Sequence, residues 1–293
     1  MSVMEESVRP PRVSVIIPAY NDHTRLLALL QKLERQTYPS ELVEVIVADN
    51  GSTDGTVSAV HRFAQEKSFP VRVVEEREIQ SSYAARNKAL EEASGEILAF
   101  TDSDCLPEEN WIEEGARVLQ RPGVQAAGGR VVFFFKRSVP SPIELLDSGS
   151  KLSQESYVES VGFAATANFF VKKRVVDEFG PFRTDLISGG DYEFGRRITR
   201  NGVRIRYAAD AVVWHPARST WKAILKKSRR IASGQVQLEK LGLLEHGRLG
   251  PRRVLPALRY LRSPSLSTGR RIQLSAMATL LRYLNLYWRL RAR

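Results

Sequence analysis

Three carboxylates and one histidine in this chain are placed where they could do chemistry. Asp102, Ser103 and Asp104 follow directly on an apolar strand pattern over residues 96–101. Two carboxylates two positions apart at a strand end can give one oxygen to a divalent cation and leave the other for a ribose hydroxyl. Such all-oxygen ligands suit Mg²⁺ or Mn²⁺. An Asp-x-Asp is also a common turn or helix cap, so the pair needs context. Asp191 opens a helical pattern over residues 191–201, where a first-turn acid is stabilised by the helix dipole whatever else it does. His215 ends the apolar run Ala-Val-Val-Trp, either as a ligand or as a structural histidine. The sole cysteine, Cys105, excludes an internal disulfide and a thiolate zinc cluster, fits a reducing compartment, and reads as a small buried packing residue.

The elements that must position these residues can be read from hydrophobic periodicity. Short β-branched runs over residues 13–18, 43–48, 71–75 and 96–101 alternate with helical patterns over 24–36, 56–67 and 82–93. Strand and helix in alternation imply an open, Rossmann-like parallel sheet with helices on both faces. In such sheets ligands bind outside the carboxyl ends of the strands. That rule gathers Tyr20–Asp22, Asp49–Asp54 and Asp102–Asp104 along one edge, as a crevice of nucleotide size. Beyond a helix at 111–119, strand signals at 125–135 and 169–172 break the strict alternation and imply a mixed sheet. Residues 136–158 lack periodicity and read as a mobile loop with a short helix. A helix from 191 and two strands, near 204–208 and 211–215, complete the body.

With 293 residues, 43% apolar and 26% charged, the chain has enough material for a sizeable buried core. It carries neither the apolar core of a signal peptide nor a run long enough to cross a membrane, so a cytoplasmic location is expected. The net charge of +11 is uneven. Residues 217–293 hold 18 Lys or Arg and two acids, a net of +16, which leaves −5 for residues 1–216.

The segments VSVIIPAYND, IVADNGSTDGT, YAARNKALEEASGEILAFTDSD and GGDYEFGRR, in this order, resemble family 2 glycosyltransferases of the GT-A fold across residues 12–216. The resemblance implies a GT-A domain at 12–216, with a nucleotide-binding half (12–104) and an acceptor half (105–216). It would lie between an N-terminal tail (1–11) and a basic helical extension (217–293). It implies a nucleoside-diphosphate sugar donor held by Pro18, Ala19, Tyr20, Asn21, Asp49, Arg86, Asp102 and Ser103. Asp104 would bind a Mn²⁺ or Mg²⁺ that neutralises the leaving diphosphate, with His215 as a further ligand. Asp191 would be the general base that deprotonates the acceptor, and one base on the far side of the sugar from the leaving group implies inversion. The family has an acidic pair here; this chain has Gly190-Asp191, and Glu193 is the alternative carboxylate. Ala165, Asn168, Gly189, Gly190, Glu193 and Trp214 would shape the sugar pocket. Read structurally instead, Asp49 starts an Asx-turn, Arg86 is a surface helix arginine, and the glycines belong to ordinary loops.

The Gln-x-x-Arg-Trp motif of processive synthases is absent, which favours addition of a single sugar to a glycan or lipid-linked acceptor in envelope or polysaccharide synthesis. In the tail, Met277, Leu280, Leu281, Leu284, Tyr287 and Trp288 form a helical stripe among arginines. That stripe faces an anionic membrane, the enzyme's own body or a second copy in a homodimer. Nucleic acid is not expected, because no recognition motif accompanies the basic residues. Two other functions compete: a nucleotidyltransferase that makes sugar nucleotides, whose glycine-rich first loop is replaced here by AYND, and a catalytically silent binding protein.

Overall fold

The computed structural model describes residues 9–67, 70–149, 152–244, 260–261 and 266–292. β1 (Val13–Ala19) and β2 (Val43–Asp49) are buried almost throughout, as unbroken β-branched runs require of strands covered on both faces. They pair in parallel with Val13 opposite Val43 and Ala19 opposite Asp49. β3 (Val71–Glu75) joins β2 and β4 (Ile97–Thr101) joins β1, both in parallel. The connecting helices are α1 (His23–Leu33), α2 (Thr56–Gln65) and α3 (Ser82–Glu92).

After β4 come β5 (Leu106–Pro107), α4 (Trp111–Leu119), β6 (Ala126–Phe134) and α5 (Pro142–Ser148). Next are α6 (Gln154–Ser156), continued by a π-helical turn, β7 (Asn168–Lys172) and α7 (Lys173–Phe179). The chain then forms α8 (Gly190–Arg200), β8 (Ile205–Pro216), α9 (Trp221–Lys240) and α10 (Thr268–Ala292). The eight strands lie in the order β3-β2-β1-β4-β7-β6-β8-β5, with β7 antiparallel to β4 and β6. This is the mixed sheet expected from the broken alternation. One face packs on α1, α2 and α4 through Leu26, Leu30, Phe63 and Trp111. The other packs on α3, α7 and α8, and on Leu238 of α9.

Three expectations need correction, and one helix, α7, was not foreseen. The two strands near 204–208 and 211–215 are a single β8, whose register with β6 shifts between Gly129 and Arg130. The extra residues bulge out and let both halves pair with the same neighbour. Residues 136–149 and 152–158 are not a loose loop. Ser141 and Glu144 cap α5 reciprocally, with Pro142 in its first turn, and buried Asp147 anchors the helix to Lys227 and Arg218. α7 had no periodic signal, because it has fewer than two turns of apolar face. The stripe on α10 does not face a single environment: Met277 and Leu281 pack inward with Leu274 and Ala278, while Leu280 and Tyr287 are exposed.

Candidate active site

The carboxyl ends of β1, β2 and β4 present the predicted residues along one edge. Asp49, wholly buried, spends Oδ2 on the N–H groups of Gly51 (3.1 Å) and Ser52 (3.0 Å), so the Asx-turn is real. Its Oδ1 has no hydrogen-bond partner within the protein. A buried, unmatched carboxylate oxygen is costly unless a ligand donor meets it, so this atom is the clearest binding feature of the edge. Asn21 is the one non-glycine residue in the left-handed region among the described residues (φ 49°), a conformation asparagine tolerates. Its side chain accepts from Thr53 N–H (2.7 Å) and its N–H donates to Ser52 Oγ, locking the first loop to the second. Tyr20, at that loop's tip, is 54% exposed and available to a planar ligand, with Pro18 and Ala19 in the strand behind it.

At the end of β4, ligand atoms of Asp102, Asp104, Cys105 and His215 lie within 4.8 Å of one another. His215 arrives from β8, opposite Phe133, whose ring meets it edge-on. Its Nδ1 lies 2.9 Å from the Pro216 carbonyl, which fixes that nitrogen as a donor and turns Nε2 toward Asp104, 3.9 Å away. Burial pushes the Asp104 carboxyl up; His215 and Arg25 oppose this, while Asp102 and Asp22 add to it. Crowded carboxylates and an imidazole nitrogen aimed at one point fit a hard divalent cation. Cys105 fits less well. Burial, together with Asp102 and Asp104, drives its thiol well above the usual range, so it remains a protonated packing group.

Asp102 Oδ1 takes Arg86 Nη2 at 2.6 Å, and Arg86 is 3% exposed. Arg86 is therefore a buried counter-ion, not a surface arginine, and its charge reaches Asp191 as well. Asp191 sits in the first turn of α8 after Gly189, whose φ of +85° turns the chain into the helix. Burial raises the Asp191 carboxyl above its ordinary range, opposed by its bond from Tyr192 N–H and by Arg86 and Arg230. The missing acid of the pair has a steric explanation: a Cβ on Gly190 would lie 2.8 Å from the Tyr83 ring. The Tyr83 hydroxyl is itself pushed up to about 12, chiefly by burial and then by Asp191.

Several pocket expectations fail for physical reasons. Glu193 is buried with both oxygens on Arg197 (2.9 and 3.1 Å), and Arg197 also ties down the carbonyls of Phe179, Gly180 and Pro181. That carboxylate is committed to holding α7 and α8 together and is not an alternative base. Asn168 is fully buried, accepting from Trp111 Nε1 and donating to the carbonyls of Arg130 and Ala211; it is a core bracket. Trp214 alternates with His215 on β8, so it points away from that ring and bonds Glu108. Both backbone groups of Ala165 are taken by the Gln154 amide.

Three cations beside the site were not singled out in the sequence. Arg25 bridges Asp22 (2.6 Å) and Asp104 (3.4 Å). Arg77, just past β3, lies 3.8 Å from Asp49, a place the strand-end rule already marks. Arg230 of α9 reaches Ser188 Oγ at 3.4 Å and acts electrostatically on Asp191; no local pattern separates it from the other basic residues of the tail.

Residues 14–180 match the family described as Glycosyl transferase family 2. Glycosyltransferase AglE of Haloferax volcanii is 39% identical over 228 residues, covering 78% of this chain and 74% of that protein. A Methanococcus voltae enzyme named for transfer of a diacetamido-dideoxy-glucuronosyl unit to dolichyl N-acetylglucosaminyl phosphate is 23% identical, covering 74% of this chain and 70% of its own. Among solved structures, the mannosyltransferase PcManGT of Pyrobaculum calidifontis, held with GDP-Man and Mn²⁺, superposes with a TM-score of 0.67 at 23% identity. The match covers 97% of this chain and 88% of that one. Staphylococcus aureus TarS residues 1–349 with UDP gives 0.55 at 20% identity, covering 91% and 70%. On the extent of the family match and the identity to AglE, this chain belongs to glycosyl transferase family 2 and is a glycosyltransferase of the GT-A fold.

Proposed function

We propose that this glycosyltransferase moves one sugar from a nucleoside-diphosphate sugar to an acceptor hydroxyl, with inversion, using a divalent cation at Asp104 and His215, Asp102 beside it on the ribose, and Asp191 as general base. The observation that carries the reading is the convergence of Asp102, Asp104 and His215 within 4.8 Å at the strand ends, linked through buried Arg86 to Asp191. The donor class is supported by structural neighbours that hold GDP-Man with Mn²⁺ and UDP-GlcNAc.

Asp49 Oδ1 accepts a hydrogen bond from the nucleobase or ribose, with Arg77 beside it and Tyr20 over the ring. Asp102 holds the ribose while Arg86 orients its carboxylate. Asp104 and His215 Nε2 are the ligands for Mn²⁺ or Mg²⁺, which when bound neutralises the departing diphosphate. Asp191 takes the proton of the acceptor hydroxyl as its oxygen bonds to the anomeric carbon and the bond to the diphosphate breaks. Its raised proton affinity suits a base at neutral pH better than an ordinary aspartate would. Residues 12–104 serve the nucleotide and 105–216 the acceptor, with α9 and α10 of the 217–293 extension bracing the latter. The acceptor is a glycan or a lipid-linked sugar, a class in keeping with the dolichyl-phosphate acceptor named for the Methanococcus voltae relative.

Asp191→Asn tests the base directly. Donor affinity, read by calorimetry with Mn²⁺, stays near wild type, and transfer falls by about 10²–10⁴. Near-normal transfer by this variant would remove Asp191 from its role.

A further inference from the structure

Among the described residues, α10 packs on α5 and α9 through one side. Leu274, Ala278 and Leu281 join Leu146 and Ile224 in a third apolar cluster, and Arg289 is buried against Glu239 and Gln235 of α9. On the opposite side Ile272, Ala276, Leu280, Tyr283, Tyr287 and Leu290 are exposed. Their spacings of four, four, three, four and three residues confine them to an arc of roughly 80° at the helical repeat. Together they form a continuous apolar strip roughly 27 Å long. A surface strip of that length on a soluble body marks something that covers it.

The charge pattern selects what covers it. Apart from the buried Arg289, α10 contains arginines at 270, 271, 282 and 291 and no acidic residue, within a segment whose net charge is +16. A second copy of this chain seated on the strip would set arginine rows against each other. Nucleic acid would leave the leucines and isoleucine in water. An anionic bilayer surface satisfies both features, since acyl chains take the apolar side chains, tyrosines sit at headgroup level and lipid charge meets the arginines. Among the described residues no helix is long and apolar enough to cross a membrane, so the contact lies along the surface.

α9 lies between this strip and the active site. Gly234 packs so closely on Ser188 that an added Cβ would lie 2.6 Å from it, and a Cβ on Gly189 would lie 2.7 Å from Leu238. Gln237 brackets the loop ahead of α8 through the Ile187 N–H and the Asp185 carbonyl. Two helix layers separate the strip from the loop before Asp191, roughly 20 Å. We infer that the outward face of α10 rests on an anionic lipid surface and so holds the active site within reach of an acceptor at the headgroup level.

Vesicle flotation of the full chain, with no donor or acceptor present, tests this independently of the transfer reading. Wild-type protein is expected to float with phosphatidylcholine–phosphatidylglycerol vesicles at moderate salt and not with phosphatidylcholine alone. Leu280→Asp with Leu290→Asp should cut flotation at least tenfold while soluble-donor binding and far-UV circular dichroism stay unchanged. Arg291→Gln, a milder change, should lower it several-fold and make its loss with salt shallower. Absence of flotation with anionic vesicles, or flotation undiminished by the double substitution, would overturn the inference. A wild-type dimer in analytical ultracentrifugation that the double substitution dissolves would replace the bilayer with a second copy.

Discussion

Asp191 carries two opposed demands that a single substitution separates. Its carboxyl is raised in the folded protein by burial, so ionising it at neutral pH costs stability relative to the unfolded chain. The folded state binds the proton more tightly, so wild-type stability declines as pH rises from the ordinary aspartate range through the raised value. Asp191→Asn should therefore melt higher than wild type at neutral pH while losing transfer, and the gain should vanish below about pH 4. Thermal melts at the two pH values check this. The acidic limb of the kcat profile of the wild-type enzyme should likewise lie above the usual carboxylate range. At the cation ligands, His215→Asn should raise the Mn²⁺ concentration needed for half-activity by about tenfold or more, because it removes the Nε2 lone pair that Pro216 orients. A metal titration of activity that does not move would make His215 structural.

α8 shows how an element's packing sets its chemistry. The absent first acid follows from α3, whose Tyr83 ring occupies the space a side chain at Gly190 would need. Gly190→Glu should thus destabilise by about 1–3 kcal/mol by overpacking, without improving transfer. Chemical denaturation alongside the assay reads both. The strands and the edge on which Asp49, Asp102 and Asp104 stand were legible in the sequence, because buried parallel strands are unbroken apolar runs and ligands gather at their ends. The commitments of Glu193, Asn168 and Trp214 were not. Asn168 and Trp214 depend on partners from other elements, Trp111 and Glu108, and Glu193 is held by an Arg197 whose other bonds go to the carbonyls of Phe179, Gly180 and Pro181 outside the helix. By contrast, the cap of α5 was readable and overlooked. Ser141-Pro142-Ile143-Glu144 has both capping-box residues and a first-turn proline, in a segment whose apolar periodicity is too short to register.

In the whole molecule, the basic extension is keyed into the body at buried ion pairs, not appended to it. Asp147 of α5 meets Lys227 of α9 at 2.9 Å; burial would raise its carboxyl, but Lys227 and Arg218 outweigh that and hold it low. Its contribution to stability is present above the ordinary aspartate range and is lost as pH falls through the lowered value. Glu239 and Arg289, each about 4% exposed, join α9 to α10. Glu239→Gln should cost about 3–5 kcal/mol, because it leaves a buried guanidinium without its counter-charge, and should expose α10 to limited proteolysis. This bracing explains why the charge asymmetry seen in the sequence belongs partly to the interior and partly to an outward surface. The central claim, cation-assisted sugar transfer at the Asp102–Asp104–His215 cluster, is tested most directly by nucleotide release from a panel of sugar nucleotides. The rate is measured with Mn²⁺, with EDTA, and after Mn²⁺ is restored. The account predicts turnover of at least one donor that EDTA abolishes, Mn²⁺ restores and Asp104→Asn removes; equal turnover under all three conditions, or in the variant, would contradict it.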